Sequence, residues 1–155
     1  DVETDEQLYA QLSPELIRYA TALTGPADAP DVVADAVIAC FGSRHWPTVT
    51  NKRAYLYRAV LNQAHTHGRS AERRLRRERR TSDRLEVAPA ADSVDARRAL
   101  AHLSPQQRAV VFLTYWEDRT PAHIADLLGV AEGTVRKQLA RSREHLRRIL
   151  DDRTN

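Results

Sequence analysis

The 155-residue chain has no methionine, one cysteine, five glycines and only two phenylalanines. A lone thiol, Cys40, cannot build an internal disulfide framework and fits a reducing compartment. So few glycines leave no glycine-rich phosphate loop, and with seven prolines they exclude a collagen-like or low-complexity chain. No apolar run approaches the roughly 18 residues of a membrane-spanning helix, so no membrane insertion is expected. The opening residues Asp1-Val2-Glu3-Thr4-Asp5 are acidic and do not read as a signal peptide; a start without methionine suggests a trimmed terminus. His65 and His67 stand two apart, on different sides of a helix, with no cysteine or acid at ligand spacing. Ser, His and Asp form no nucleophile elbow. No metal, no cofactor and no enzymatic activity are therefore expected, and the expected location is cytoplasmic.

What the chain does have is segregated charge. The net charge is +3, but residues 1–43 carry −7, residues 44–84 carry +9, residues 85–131 carry −2 and residues 132–155 carry +3. Two separated basic blocks suggest two contacts with a polyanion. The acidic first block is either a solvated surface or a dock for a basic partner.

Almost every segment has helical periodicity. Over residues 5–24 an apolar stripe runs through Leu8, Leu12, Leu16, Tyr19, Ala20 and Leu23, with Ser13-Pro14 predicting a break or kink. A helix over 28–42 buries Val33, Val37, Cys40 and Phe41 and sets Asp31, Asp35 and Ile38 on another face. Trp46-Pro47 falls in a loop. A longer helix over 51–69 follows, then eight arginines between Arg69 and Arg84, and a linker with Pro89 and small residues. A second helical unit starts near Val94, with a helix over 96–103. Ser104-Pro105-Gln106-Gln107 has the form of a capping box with proline at the first helical position; Thr120-Pro121 repeats the device.

The strongest motif lies beyond. Ile124-Ala125, Leu128-Gly129-Val130, Gly133-Thr134-Val135 and Leu139 have helix-turn-helix spacing. Ala125 lets two helices cross closely, Gly129 turns the chain, and Val130, Val135 and Leu139 fill the space between. The last helix, from Glu132 to Leu150, directs Val135, Leu139, Ser142, Leu146 and Ile149 inward and its basic residues outward. An α-helix fits the major groove, and residues near its N-terminus read base edges. Arg136, Lys137 and Arg141, with Thr134 beside them, are the candidates for reading. Arg143, Arg147 and Arg148 suit phosphate contacts or simple solvation.

Residues 100–150, and residues 28–41 (DAPDVVADAVIACF) followed by 54–70 (AYLYRAVLNQAHTHGRS), resemble the two conserved regions of the extracytoplasmic-function branch of the sigma-70 family. The resemblance implies an all-α fold of two small helical domains: region 2 over 1–75, a charged linker over 76–94, and region 4 over 95–155. It implies a subunit that binds core RNA polymerase, directs it to promoters and helps open DNA. Asp31, Asp35 and Ile38 would then dock on core polymerase. Trp46, Arg53, Tyr55, Tyr57, Arg58 and Asn62 would face the −10 element, and Thr134, Arg136, Lys137, Arg141 and Arg143 the −35 element. An anti-sigma protein is the further expected partner. Thr66, Gly68 and Ala131 depart from the usual pattern, and Gly68 is expected to fray the helix it sits in. The alternative is an autonomous helix-turn-helix regulator that acts without polymerase.

Overall fold

A computed structural model describes residues 3–79 and 98–154, without the side chains of 69–79 and 153. The linker beyond 79, the entry to the second unit near Val94 and the arginine side chains of 69–84 lie outside the described residues. Six α-helices occur in order: α1 (Asp5–Thr24), α2 (Ala29–Phe41), α3 (Lys52–Arg79), α4 (Pro105–Tyr115), α5 (Pro121–Leu128) and α6 (Glu132–Thr154). A short 3₁₀ turn, Trp46–Thr48, separates α2 from α3, and residues 98–101 are helical. There is no strand among the described residues.

Local chemistry explains most of the boundaries. Thr4 opens α1 with a reciprocal capping box to Gln7, and Ser104 opens α4 with the same device to Gln107. Thr120 caps α5 by accepting from the His123 amide at 3.2 Å. The amide of Ala54 donates to the Asn51 side chain at 3.0 Å, starting α3. At Gly129 the chain takes φ +69°, the left-handed position that ends α5 and that glycine enters without a Cβ penalty.

Two expectations fail for physical reasons. Ser13-Pro14 does not interrupt α1, which runs unbroken through Pro14. A proline inside a helix costs about 3 kcal/mol. Leu12, Leu16, Tyr19, Ala20 and Leu23 are all buried around it, and burial of each large apolar side chain returns about 1.5–3 kcal/mol. Likewise Gly68 does not end its helix; α3 continues eleven residues further, to Arg79.

The first three helices pack mutually, with Val32, Val33, Ala36, Val37, Cys40, Leu56, Tyr57, Val60 and Leu61 in their core. Tyr57 and Leu61 thus belong to the buried face of α3, with Leu56 and Val60. The second unit closes α4, α5 and α6 around Val110, Leu113, Ile124, Leu128, Val135 and Leu139. Ser142, fully buried on α6, satisfies its hydroxyl by donating to the Gln138 carbonyl at 2.7 Å.

The two units share one continuous core. α1 lies against α4 and α3 against α5. Arg108 fastens the seam: Nη1 donates to the Leu23 carbonyl at 2.6 Å, Nε to those of Leu100 and Leu103 at 2.8 and 3.0 Å, and Nη2 to that of Ala101 at 3.2 Å. Arg18 reaches Glu117 at 3.4 Å. The rings of Tyr19 and Phe112 meet at 6.3 Å. The Tyr19 hydroxyl is fully buried there and has no hydrogen-bond partner, a defect that costs about 1–3 kcal/mol.

Burial pushes the Cys40 thiol from 9.0 up to about 11. Below pH 9 the thiol is protonated in both the folded and the unfolded chain. Between 9 and 11 the unfolded chain loses the proton first, so stability falls as pH rises. Burial pushes the phenols of Tyr19 and Tyr57 upward too, with the same sign at higher pH. Urea titrations are expected to show stability declining above pH 9, with Cys40→Ala removing the earliest part of the slope. A slope unchanged by that substitution contradicts the assignment.

Candidate nucleic-acid interface

The six residues expected to face the −10 element do not share one surface. Tyr55, Arg58 and Asn62 do come together: with Ala39, Cys40 and Ala59 they line a cleft of about 310 Å³ between α2 and α3. Arg58 and Asn62 are exposed, Tyr55 half-buried. Successive turns of α3 bring the three side by side, since residues three and four apart share a face.

Arg53 and Tyr57 face α1 instead. Arg53 Nη2 and the Tyr57 hydroxyl both donate to Oε2 of Glu15 at 2.6 Å. Burial opposes the charge on Arg53, but Glu15 beside it more than offsets this, and the guanidinium is held further into its charged range. For Tyr57, burial first and the Glu15 carboxylate second both disfavour ionisation. Tyr57 also packs on Tyr19, centroids 4.7 Å apart. Sequence reasoning missed Glu15. It is the sole acid between Glu6 and Asp28, but nothing local signals a partner 38 residues away.

Trp46 is buried, 3% exposed. Its Nε1 donates to Asp5 Oδ1 at 3.0 Å, and its ring lies 5.1 Å from Phe41 and 5.8 Å from Tyr55, with the Lys52 ammonium 5.3 Å above it. The indole thereby anchors the turn before α3 and braces Tyr55 from behind.

On α2, Asp31, Asp35 and Ile38 follow one another at helical spacing on the exposed face, and Ile38 is 70% exposed. An isoleucine this open, one turn beyond two exposed carboxylates, makes a mixed acidic and apolar patch.

On α6 all five expected residues are exposed, but their settings differ. Thr134, Lys137 and Arg141 form one stripe, and neither cation of that stripe is paired with an acid among the described residues. Arg136 binds Glu132 one turn earlier at 2.8 Å. Arg143 turns back to α4, where Nε donates to the Tyr115 hydroxyl at 2.6 Å and the guanidinium lies 5.7 Å from the ring centroid. A further tie, Gln107 Nε2 to Gln138 Oε1 at 3.2 Å, fixes α6 on the first turn of α4. The arrangement can place one face of a rigid helix against a duplex, with the stripe outermost.

Comparison with known proteins agrees with this geometry. Residues 93–146 match the family model described as sigma-70, region 4. RNA polymerase sigma-E factor of Streptomyces avermitilis is 34% identical over 89% of this chain and 80% of its own length. ECF RNA polymerase sigma factor SigL of Mycobacterium tuberculosis is 34% identical over 94% of this chain and 88% of its own. Among solved structures, the fold resembles sigma factor RpoE of Bartonella quintana, crystallised with the anti-sigma factor NepR (TM-score 0.70, 23% identity, 97% and 98% of the two chains). It also resembles CnrH in complex with the cytosolic domain of CnrY (TM-score 0.64, 23% identity, 96% and 88%).

The differing settings on α6 order the expected effects. Lys137→Ala and Arg141→Ala each lower affinity for a cognate duplex about 5- to 100-fold. Arg136→Ala, whose charge is already shared with Glu132, costs less. Fluorescence anisotropy at fixed salt checks this; an Arg136 effect equal to that of Arg141 contradicts it.

Proposed function

The chain belongs to the extracytoplasmic-function RNA polymerase sigma factors, and we propose that it binds core RNA polymerase, directs it to specific promoters and helps open the DNA there. The observation that carries this reading is the extent of the likeness. The relatives match over 89–94% of the chain, so both halves, not the helix-turn-helix alone, are those of a polymerase subunit. An autonomous regulator would need only the second half, and is not favoured. The chain acts as a non-enzymatic initiation factor in the cytoplasm, and no helix among the described residues is long and apolar enough to cross a membrane. The two solved neighbours each hold a partner, in one case named as an anti-sigma factor; a protein inhibitor of that kind is proposed here too.

Each half has its task. The patch of Asp31, Asp35 and Ile38 docks on a basic and apolar surface of core polymerase. The cleft of Tyr55, Arg58 and Asn62 holds the single strand of the −10 element, where an aromatic face stacks a base and a cation meets phosphate. Trp46, Arg53 and Tyr57 serve this face through position, as braces of the turn and of α3. On α6, Thr134, Lys137 and Arg141 read the −35 element, with Arg136 and Arg143 nearer its backbone.

The reading is tested by titrating the protein against purified core RNA polymerase with the primary sigma factor as competitor. Tight, competed binding is expected; absence of binding rejects the proposal. Asp31→Arg with Asp35→Arg is expected to weaken that binding at least about tenfold through like-charge contact, with an unchanged thermal melt. Asn62→Ala is expected to reduce permanganate reactivity of the −10 region more than it reduces closed-complex formation. Equal losses in both reject a role for the cleft in holding single strands.

A further inference from the structure

Arg58 stands in two places at once. It lines the α2–α3 cleft with Tyr55 and Asn62, and it crosses the seam between the halves, where Nη2 donates to the Asp126 carbonyl at 3.0 Å. That carbonyl belongs to the last turn of α5, whose free acceptors and negative dipole end favour a cation. The guanidinium lies so close over Gly129 that a Cβ there would stand 2.6 Å from Nε and 2.7 Å from Cζ. The missing side chain of Gly129 therefore does two jobs: it permits the left-handed turn and it leaves the seat for Arg58.

We propose that Arg58 is a latch between the two halves, and that closing the seam and engaging DNA at the cleft compete for this one guanidinium. The proposal rests on the role given above to the cleft. In the closed arrangement Arg58 Nη2 is committed to the Asp126 carbonyl and the guanidinium lies over Gly129, so turning it fully to a strand at Tyr55 and Asn62 breaks that contact. The reading stripe of α6 begins only a few residues beyond that turn. Arg141 lies nine residues, roughly 14 Å, along α6 from its first residue Glu132, so the two surfaces proposed to face DNA are held near each other. Reaching two separate promoter elements requires the halves to part. The seam is suited to parting. Arg18–Glu117 is a long pair at 3.4 Å with the Arg18 side chain 57% exposed.

Energy transfer between dyes at Gln11→Cys and Glu144→Cys, both exposed positions on opposite sides of the seam, reads the closed population in the free protein. Gly129→Asn keeps the left-handed turn, which asparagine tolerates, but fills the seat. Arg58→Ala removes the guanidinium and leaves the turn untouched. Each is expected to shift the open-to-closed ratio about tenfold, the loss of one charge-assisted hydrogen bond, with helical content unchanged by circular dichroism. A single-stranded oligonucleotide carrying the −10 sequence is expected to open the unsubstituted seam. If neither substitution changes the transfer, the latch is wrong whatever the cleft does. If both open the seam but Arg58→Ala leaves permanganate reactivity of the promoter intact, the contact across the seam stands, and the competition with DNA, together with the part given to Arg58 at the cleft, is wrong.

Discussion

One guanidinium sets the relation of the two halves. Arg108 donates to the carbonyls of Leu23, Leu100, Leu103 and Ala101. It thereby joins the end of α1, the helical turn over 98–101 and the first turn of α4. The Leu23 carbonyl lies in the last turn of α1, and the other three lie in and just after the helical turn that precedes α4. Satisfying four of them from a single side chain is possible because arginine presents its donors in a fixed planar fork. With α1 and α4 so joined, Tyr19 is brought against Phe112, α3 against α5, and Arg58 over Gly129. The closeness of the α2–α3 cleft to the α5–α6 turn follows from this first attachment.

The seam is uneven in quality. Its apolar portion is continuous with both cores, but its polar contacts range from the well-satisfied Arg108 to the unpartnered Tyr19 hydroxyl. An interface meant to be permanent rarely retains such a buried orphan. The first half shows the contrasting case. There Glu15 gathers Arg53 and Tyr57 at 2.6 Å each, and Asp5 fixes Trp46. Both acids lie on α1, so the N-terminal helix acts as a strap that stiffens the base of α3. In the cleft Tyr55 is braced by Trp46, and Arg58 also reaches across to the Asp126 carbonyl.

Which features were legible in the sequence follows from how local their causes are. The capping box at Ser104, the cap at Thr120 and the turn at Gly129 depend on residues within three or four positions, and the structure has them where the pattern put them. The exposed face of α2 and the basic face of α6 follow from helical period alone. Pro14 and Gly68 misled because their local penalties are small beside the packing of α1 and the continuity of α3. The division of the six expected −10 residues was illegible for another reason. Arg53 and Tyr57 are turned away by Glu15, and Trp46 by Asp5, contacts that span about forty residues and leave no trace in spacing.

Gly129 carries a consequence for how such chains diverge. Its neighbours on α5 and α6 belong to the second half, but the space above it belongs to a residue of the first. A helix-turn-helix unit transplanted from a relative brings its own residue to this position. If that residue carries a side chain, the graft folds and reads DNA yet no longer fits its new companion. The turn of the second half and its fit to the first thus meet at this one position, and the two halves are not freely interchangeable modules.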